Sequence, residues 1–244
     1  MTYFNNLTTI HTSRTIMFAE LSKVMDHALR DDRYLESLNE NVASKLTKSN
    51  QKKTTGFLKQ IYGFNVSFPP FICFKYFWQI TDVKDRPVLS LLYALCKDYL
   101  LSESMFVVLS TGIGEKVKIE KLEETIEAHH PKRFTEKTRR SVAQRIASSW
   151  KQAGYIVGKV KNIRTQPNYC YHSVVFAFLM AYFNGDRGDF ILSSKWVQTL
   201  AISEFQVREL ASEAAKRDLL QYQYAGSVTT ISFNNLFKKL NIDA

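Results

Sequence analysis

Residues 135–158 read TEKTRRSVAQRIASSWKQAGYIVG, a stretch that combines residues typical of helix ends with a helical apolar period. Thr135 is a residue type that caps helix N-termini, and Gly154 is typical of a helix end. Between them, apolar side chains recur every three or four residues, which is the period of a helix with one buried face. These inward residues are Val142, Ile146, Ala147 and Trp150. The stretch therefore predicts an amphipathic helix over Glu136–Gln152.

The flanks of this helix add further elements. Upstream, Ile119–Ala128 is acidic and amphipathic, and His129-His130-Pro131 predicts a turn. Downstream, Tyr155–Gln166 has an extended pattern, which predicts a hairpin that ends at Pro167. A bracing helix, a turn, a second helix and a hairpin are the order of a winged helix-turn-helix, in which the second helix enters the major groove of DNA.

The basic charge of the chain is concentrated in the same segment. The chain has 244 residues, a formal net charge of +10 and a pI of about 9.4. Lys132–Arg164 holds ten basic residues and one acidic residue, Glu136, so its net charge of +9 is nearly the whole excess. An excess of this size usually serves a polyanion, because each neutralised phosphate releases condensed counterions. The segment therefore predicts contact with double-stranded DNA.

The residue types suggest which positions read bases and which contact phosphates. Arg139, Arg140 and Gln144 are expected on the outer face near the N-terminal half of the helix, where Arg pairs with guanine and Gln with adenine. The other candidates suit phosphate contacts: Lys132, Arg133, Lys137, Lys159, Lys161 and Arg164. Two other interpretations stay open, since the helix could be a solvated basic surface or could dock onto an acidic partner protein.

A second basic stretch, Tyr34–Tyr62, has the same order of short helix, turn and capped helix. From Asn41 to Asn65 there are five lysines and no acidic residue. Lysine is a hydrated point charge that reads bases less well than arginine, so this stretch predicts contacts with the DNA backbone, unless it is a plain surface helix. The lysines expected to make them are Lys45, Lys48, Lys52 and Lys53. Ser49 is expected to cap the second helix, and its hydroxyl and that of Thr54 suit phosphate contacts.

The C-terminal part repeats the order of elements without the charge. Ser194 and Ser203 are expected to cap two helices, and alternating apolar residues around Ala225-Gly226 predict a hairpin formed by Leu219–Tyr224 and Ser227–Phe233. Its acidic and basic residues balance, which favours a scaffold or a protein-contact module.

These patterns predict a mainly α protein of tandem helix-turn-helix or winged-helix modules with two small β-hairpins. Its expected domains are residues 1–66, an N-terminal helical module with a helix-turn-helix, and residues 67–167, a central helical module that ends in the basic winged helix. The third is residues 168–244, a C-terminal helical module with a hairpin.

Two short motifs carry a resemblance to a known family. Residues 40–49 read ENVASKLTKS, and the helix that starts TEKT at Thr135 ends in SWKQAGYI over Ser149–Ile156. In order and spacing they resemble BrxA-like proteins, which are components of BREX bacteriophage-exclusion systems. The resemblance covers roughly Ser13 to Val157. It implies a small, non-enzymatic, helical DNA-binding component of a phage-defence system, with other phage-defence proteins as possible partners.

The sequence offers little for catalysis. Thr111–Gly114 lacks the Gly-Lys-Ser/Thr ending of a phosphate-binding loop. Adjacent His129 and His130 point apart on a helix and lack further ligands for a tetrahedral metal site. Acidic residues that could suggest a nuclease site lie on an expected loop and helix surface: Asp82, Asp85 and Asp98. We therefore expect no enzyme activity, no cofactor and no metal.

The cellular setting follows from composition. The three cysteines are widely spaced in apolar surroundings, which is typical of buried thiols in a reducing compartment. The first residues lack the basic and apolar regions of a signal peptide, and the longest apolar stretches are too short to span a bilayer. A cytoplasmic protein without membrane partners is expected. The alternative to a defence component is a winged-helix transcriptional regulator with a defined operator.

Overall fold

The computed structural model describes residues 3–4, 7–29, 31–226 and 228–243. It is mainly helical with two small antiparallel hairpins, which confirms the predicted class at this level. The elements in chain order are α1 (Phe18–Ala28), α2 (Tyr34–Asn39), α3 (Lys48–Tyr62), α4 (Pro69–Ile80), α5 (Arg86–Ala94), α6 (Tyr99–Glu103), α7 (Met105–Ser110), α8 (Ile119–His129), α9 (Glu136–Gln152), β1 (Ile156–Val157), β2 (Ile163–Arg164), α10 (Tyr171–Asn184), α11 (Asp189–Leu192), α12 (Lys195–Thr199), α13 (Glu204–Ala215), β3 (Gln221–Ala225), β4 (Val228–Ser232) and α14 (Asn234–Leu240).

The chain forms two compact units, and both are discontinuous in sequence. Unit 1 comprises the described parts of Met1–Asn5, Val66–Leu92 and Asn168–Ala244, and unit 2 those of Asn6–Asn65 and Tyr93–Pro167. Two of the positions where the chain passes from one unit to the other, after residues 65 and 167, lie at or beside the boundaries predicted after residues 66 and 167. The predicted modules are nevertheless grouped differently, because unit 2 unites the N-terminal helices with the basic segment.

The first helices of unit 2 begin at other caps than the sequence predicts. Ser13, which by residue type is expected to cap the first helix, lies in a turn, and α1 starts only after Met17, which has a left-handed φ of 52° and gives no side-chain cap. Helix α3 is capped by Thr47, whose side chain accepts a hydrogen bond from Asn50 N at 3.2 Å. Ser49, the predicted cap, therefore lies inside the helix.

The remainder of unit 2 is built on the helix pair α8–α9. The predicted inward face of α9 is confirmed, because all four of its apolar residues are buried. Trp150 is fixed further by its indole N–H, which donates to Ser104 Oγ at 2.8 Å. After α9 the chain forms the antiparallel pair β1–β2, and Lys116, just before α8, makes an antiparallel bridge to Ile163 of β2.

Unit 1 has its core around α10, where residues 173–181 are all buried. This helix packs against α4, α12 and α13. Phe176 lies 5.8 Å, between ring centroids, from both Phe74 and Phe77 of α4. Ser203 caps α13 as predicted, in a reciprocal pair with Gln206. Strands β3 and β4 form the predicted C-terminal hairpin, of which Ser227 lies outside the described residues.

No helix in the described part of the chain has the length and apolar character that a membrane crossing requires.

Candidate nucleic-acid interface

The solvent-facing side of α9 is a polar stripe. Thr135 caps the helix as predicted, accepting a hydrogen bond from Thr138 N at 3.3 Å. With Val142, Ile146 and Trp150 inside, the opposite face carries exposed or half-buried side chains at helical spacing. They are Lys137, Ser141, Gln144, Ser148 and Lys151. The middle of the stripe therefore has short polar side chains, and each end has a lysine.

A basic cleft lies beside this stripe, between α9, the start of α8 and the turn between β1 and β2. It encloses about 530 Å³. Its basic lining residues are Lys116, Arg140, Lys151 and Lys159, and its uncharged polar ones are Gln144, Ser148 and Asn162. Glu120 is the acidic residue in the lining. A concave surface with four cations and amide and hydroxyl donors is suited to phosphate groups.

The β1–β2 turn projects one wall of the cleft into solvent. Gly158 and Asn162 have left-handed φ values of 83° and 52°, which reverse the chain within a short loop. Lys159 and Lys161, predicted to contact phosphates, are exposed at the tip. Lys151 Nζ donates to the carbonyl of Lys159 at 3.2 Å and so ties the turn to α9, and burial lowers the pKa of Lys151.

The arginines expected to read bases are engaged by the acidic helix α8. Arg139 forms an ion pair with Glu127. Arg140 lies 3.1 Å from Glu123 Oε1, and its side chain is about half exposed. Glu127 also accepts a hydrogen bond from the backbone N–H of Lys132, and this bond, with Arg139, lowers the pKa of Glu127. The base-reading side of the predicted interface is therefore partly neutralised from within the helix pair.

The predicted phosphate contact of Arg164 is wrong, because this residue is buried and only 2% exposed. The guanidinium donates to the carbonyls of Val108, at 3.1 Å, and Tyr155, at 3.3 Å, and to that of Thr165, and it lies 5.1 Å from the Tyr155 ring centroid. Burial lowers the pKa of Arg164. The residue holds the hairpin against α7 and has no surface for DNA.

The turn before α9 keeps its basic side chains at the surface. Lys132, which has a left-handed φ of 60°, and Arg133 are both exposed, as is Lys137 in the first turn of the helix. The Arg133 guanidinium lies 5.4 Å from the Tyr99 ring centroid, so its position is partly fixed by stacking. The positions of these three residues agree with a role in phosphate contact.

The predicted phosphate-contact residues in and just before the lysine-rich helix α3 differ in exposure. Lys48, Lys52 and Lys53 are exposed, as a phosphate-binding surface requires. Lys45 instead pairs with Glu20 at 2.6 Å, and although burial opposes it, this contact lowers the pKa of Glu20. Thr54 is buried, so the expected phosphate contact of its hydroxyl is wrong.

The groups considered for catalysis or metal binding have other partners. His129 Nδ1 is 2.9 Å from the carbonyl of Thr125, and His130 Nε2 is 2.9 Å from Glu103 Oε2. Within the described ranges no three His, Cys, Asp or Glu side chains are placed to share a metal ion.

Ser149, His11 and Asp98 have the residue types and the order of contacts of a hydrolytic triad. His11 Nδ1 is 2.8 Å from Asp98 Oδ2, and His11 Nε2 is 2.8 Å from Ser149 Oγ. All three residues are buried, with at most 1% exposure. Ser149 Oγ also accepts a hydrogen bond from Ile16 N. Because all three residues are buried, no substrate can reach the serine, and the arrangement links residues from three parts of unit 2.

Two basic residues of the cleft, Lys116 and Lys151, are not among the contacts predicted from the sequence. Lys116 precedes α8 as a single bridged residue, a position that no sequence period marks. Lys151 is counted in the basic segment but not among the candidate contacts, and only its spacing of seven residues from Gln144 signals that both share one face.

Comparisons with known proteins find no matching family model, no similar curated protein and no similar solved structure.

Proposed function

We propose that the chain is a double-stranded DNA-binding protein and that residues 99–165 form a winged helix. Helices α6–α7, the bridged residue Lys116, α8, α9, β1, a turn and β2 follow one another in the order of that motif. Lys116 bridges to β2, and β2 pairs with β1, so β2 would be the central strand of a small three-stranded winged sheet. The β1–β2 turn would then be the wing.

The basic cleft between α9 and the wing is the observation that carries this proposal. The excess positive charge lies almost entirely in the unit that contains the cleft: unit 2 has 23 basic and 14 acidic residues, whereas unit 1 has 10 basic and 9 acidic residues. A local excess of this kind attracts a polyanion and makes the affinity depend on salt.

The side chains available on α9 favour binding with little sequence preference. Arg139 and Arg140 are held by glutamates, and the stripe offers serines and one amide, Gln144, to the bases. Phosphate contacts position a protein on DNA without reading its sequence. A regulator of a defined operator would instead need several side chains directed at base edges.

The proposed role is non-enzymatic and cytoplasmic, within a bacteriophage-defence system of the BREX type. Burial of the Ser149–His11–Asp98 group supports a role without catalysis. The defence role rests on the resemblance of residues 40–49 and of the α9 segment to BrxA-like proteins. Other defence proteins are then the natural protein partners.

A salt-dependent binding titration tests the proposal. Fluorescence anisotropy of a labelled duplex of about two helical turns is compared for the wild type and for Lys159→Ala with Lys161→Ala. We expect the affinity to fall about tenfold at low salt and the log–log salt slope to shrink by about 2, because two phosphate contacts are lost. Lys216→Ala with Lys238→Ala, which removes two exposed charges from unit 1, is the matched control and should leave the slope unchanged.

Two outcomes would contradict the proposal. An unchanged slope in the Lys159→Ala and Lys161→Ala variant would show that the wing does not contact DNA. Tighter binding of single strand than of duplex would contradict the preference for double-stranded DNA. Selection on random duplexes then separates the two roles, because a sharp consensus would favour the operator-binding regulator.

A further inference from the structure

We infer that helix α3 and the α9 cleft bind one and the same duplex, as two arrays of cations on a single face of unit 2. The inference rests on the proposed function and adds a footprint to it. It depends on the linking segment, residues 9–16, which lies between the two helices.

The linking segment is fastened to α9 from inside the unit. His11 is fully buried, with its Nε2 2.8 Å from Ser149 Oγ. One turn further along the helix, Gln152 Nε2 donates to Thr15 Oγ1 at 2.8 Å. Because both ends of the segment are tied to the C-terminal half of α9, its position along that helix is fixed.

The same segment is fastened to α3 on its other side. Gln60 Nε2 donates to the carbonyl of Thr9 at 3.2 Å. The hydroxyl of Tyr62, a fully buried residue, donates to the carbonyl of Ile16 at 2.7 Å. Helix α3, the linking segment and α9 are therefore neighbours in that order, joined by hydrogen bonds between elements that are far apart in sequence.

The outer side of this assembly carries a row of cations. Arg145 of α9 donates from Nη1 to the carbonyl of Thr12 at 2.8 Å, so its side chain extends across the linking segment. The Arg14 guanidinium lies 5.3 Å from the ring centroid of Phe57, on α3. Lys53 is exposed one helical turn before Phe57 and shares its face. In the inferred footprint, this row would connect the basic side of α9 with the lysine-rich helix.

The spacing suits one DNA molecule. Helices in direct contact have axes about 8–10 Å apart, and one interposed segment contacted through side chains on both sides adds at most about 10 Å, the spacing of packed layers. The resulting separation, roughly 20 Å, is smaller than a helical turn of DNA, which is about 34 Å. A duplex of two turns in the α9 cleft is therefore long enough to extend to Arg14 and Lys53.

Duplex length is the variable that tests the inference. The full chain is titrated by anisotropy with duplexes of about 10 and about 25 base pairs, roughly one and more than two turns. For Arg14→Ala with Lys53→Ala we expect about tenfold weaker binding to the long duplex and a salt slope smaller by about 2. Binding of the short duplex should stay within about twofold of wild type, because that duplex fills only the cleft.

Two further variants keep the result interpretable. Lys53→Ala alone leaves the stacking of Arg14 on Phe57 intact and should still reduce the slope on the long duplex by about 1. Lys216→Ala with Lys238→Ala again controls for the loss of two positive charges. Circular dichroism melting of each variant checks that its fold is retained.

The outcomes distinguish this inference from the proposed function. If Arg14→Ala with Lys53→Ala binds both duplexes like wild type while Lys159→Ala with Lys161→Ala binds them weakly, the inference is overturned and the proposed function stands. Equal weakening on both duplexes also overturns it, since α3 would then not extend the footprint. If neither variant pair changes binding, both proposals fail.

Discussion

Asp98 is a buried carboxylate whose charge is matched from several directions. Its oxygens accept hydrogen bonds from the N–H groups of Ile10, at 2.8 Å, and Leu101, at 3.0 Å, and Nδ1 of His11 lies 2.8 Å away. Burial alone would raise its pKa, but His11 and these donors outweigh burial and hold the pKa of Asp98 below its ordinary value. Ionised Asp98 therefore stabilises the fold.

The sign of the pH dependence follows from that shift. The folded-state pKa is lower than the unfolded value of about 3.9, so the stabilisation is fully present above about pH 4 and is lost as the pH falls through the folded-state pKa. We expect Asp98→Asn to lower the free energy of unfolding by about 3 kcal/mol at pH 7, because His11 loses its buried partner. Its free energy of unfolding, measured in urea, should also vary less than that of wild type below about pH 4. Asp243→Asn, at an exposed position, should behave like wild type at every pH.

Substitution of the buried Arg164 tests its contribution to stability separately from the proposed DNA contact. Arg164→Met keeps much of the volume but leaves the carbonyls of Val108 and Thr165 without donors, whereas that of Tyr155 keeps the N–H of Thr165. We expect the free energy of unfolding to fall by about 2–4 kcal/mol, since each unsatisfied buried group costs about 1–3 kcal/mol. Duplex affinity, measured well below the melting temperature, should stay near wild type. Lys161→Met should do the reverse, with normal stability and weaker binding, and the same pattern in both variants would refute this assignment.

Helix α8 holds two arginines of α9 that the proposed duplex would otherwise contact. Releasing Arg139 and Arg140 through Glu123→Gln with Glu127→Gln should tighten duplex binding at low salt, on the order of fivefold. Both ion pairs are only partly buried, so we expect the fold to be retained. Glu124→Gln, which removes an acid paired with Lys121 of the same helix, is the control. Unchanged affinity in the double variant would mean that the two arginines do not reach DNA.

Elements with a strong apolar period are predictable from the sequence, and so are the caps Thr135 and Ser203, but the starts of α1 and α3 are not. Val142, Ile146 and Trp150 mark one face of α9, and the buried face follows them. Ser13 is a good cap by type, but a turn at residues 11–13 and the left-handed Met17 delay the start of α1. Several residue types suit a helix start, and tertiary contacts select among them.

The candidate site is predictable in its location but not in the direction of each side chain. Lys159, Lys161 and Arg164 look alike in sequence, as basic residues of an extended segment. A strand of two residues has no alternation from which inward and outward positions could be read. Arg164 can be buried because three backbone carbonyls receive its donors, and no local pattern announces carbonyls from α7 and from the start of the hairpin.

At the scale of the molecule, one order of elements occurs twice with different surfaces. In unit 1, α12, α13 and the β3–β4 hairpin repeat the sequence of helix, helix and hairpin seen in α8, α9 and β1–β2. Its groove is lined by apolar residues such as Leu192 and Val207, with the acidic residues Asp189 and Glu204 and one basic residue, Arg208. The same order of elements therefore goes with a basic cleft in one unit and a largely apolar groove in the other. The cleft of unit 2, and not the order of elements, supports the proposed DNA binding.

The two cores should also respond separately to destabilisation, because each unit buries its own apolar side chains. All three cysteines are thiols, and Cys73 in unit 1 and Cys96 in unit 2 are buried. Pulse labelling with a maleimide, followed by mass spectrometry, thus reports the opening of each unit through its own thiol. Since Arg164 lies in unit 2, we expect Arg164→Met to accelerate labelling of Cys96 by about tenfold or more and to leave Cys73 near its wild-type rate, given a loss of about 2–4 kcal/mol. Lys161→Met should change neither rate, whereas equal acceleration of both thiols by Arg164→Met would show that the chain unfolds as one cooperative body.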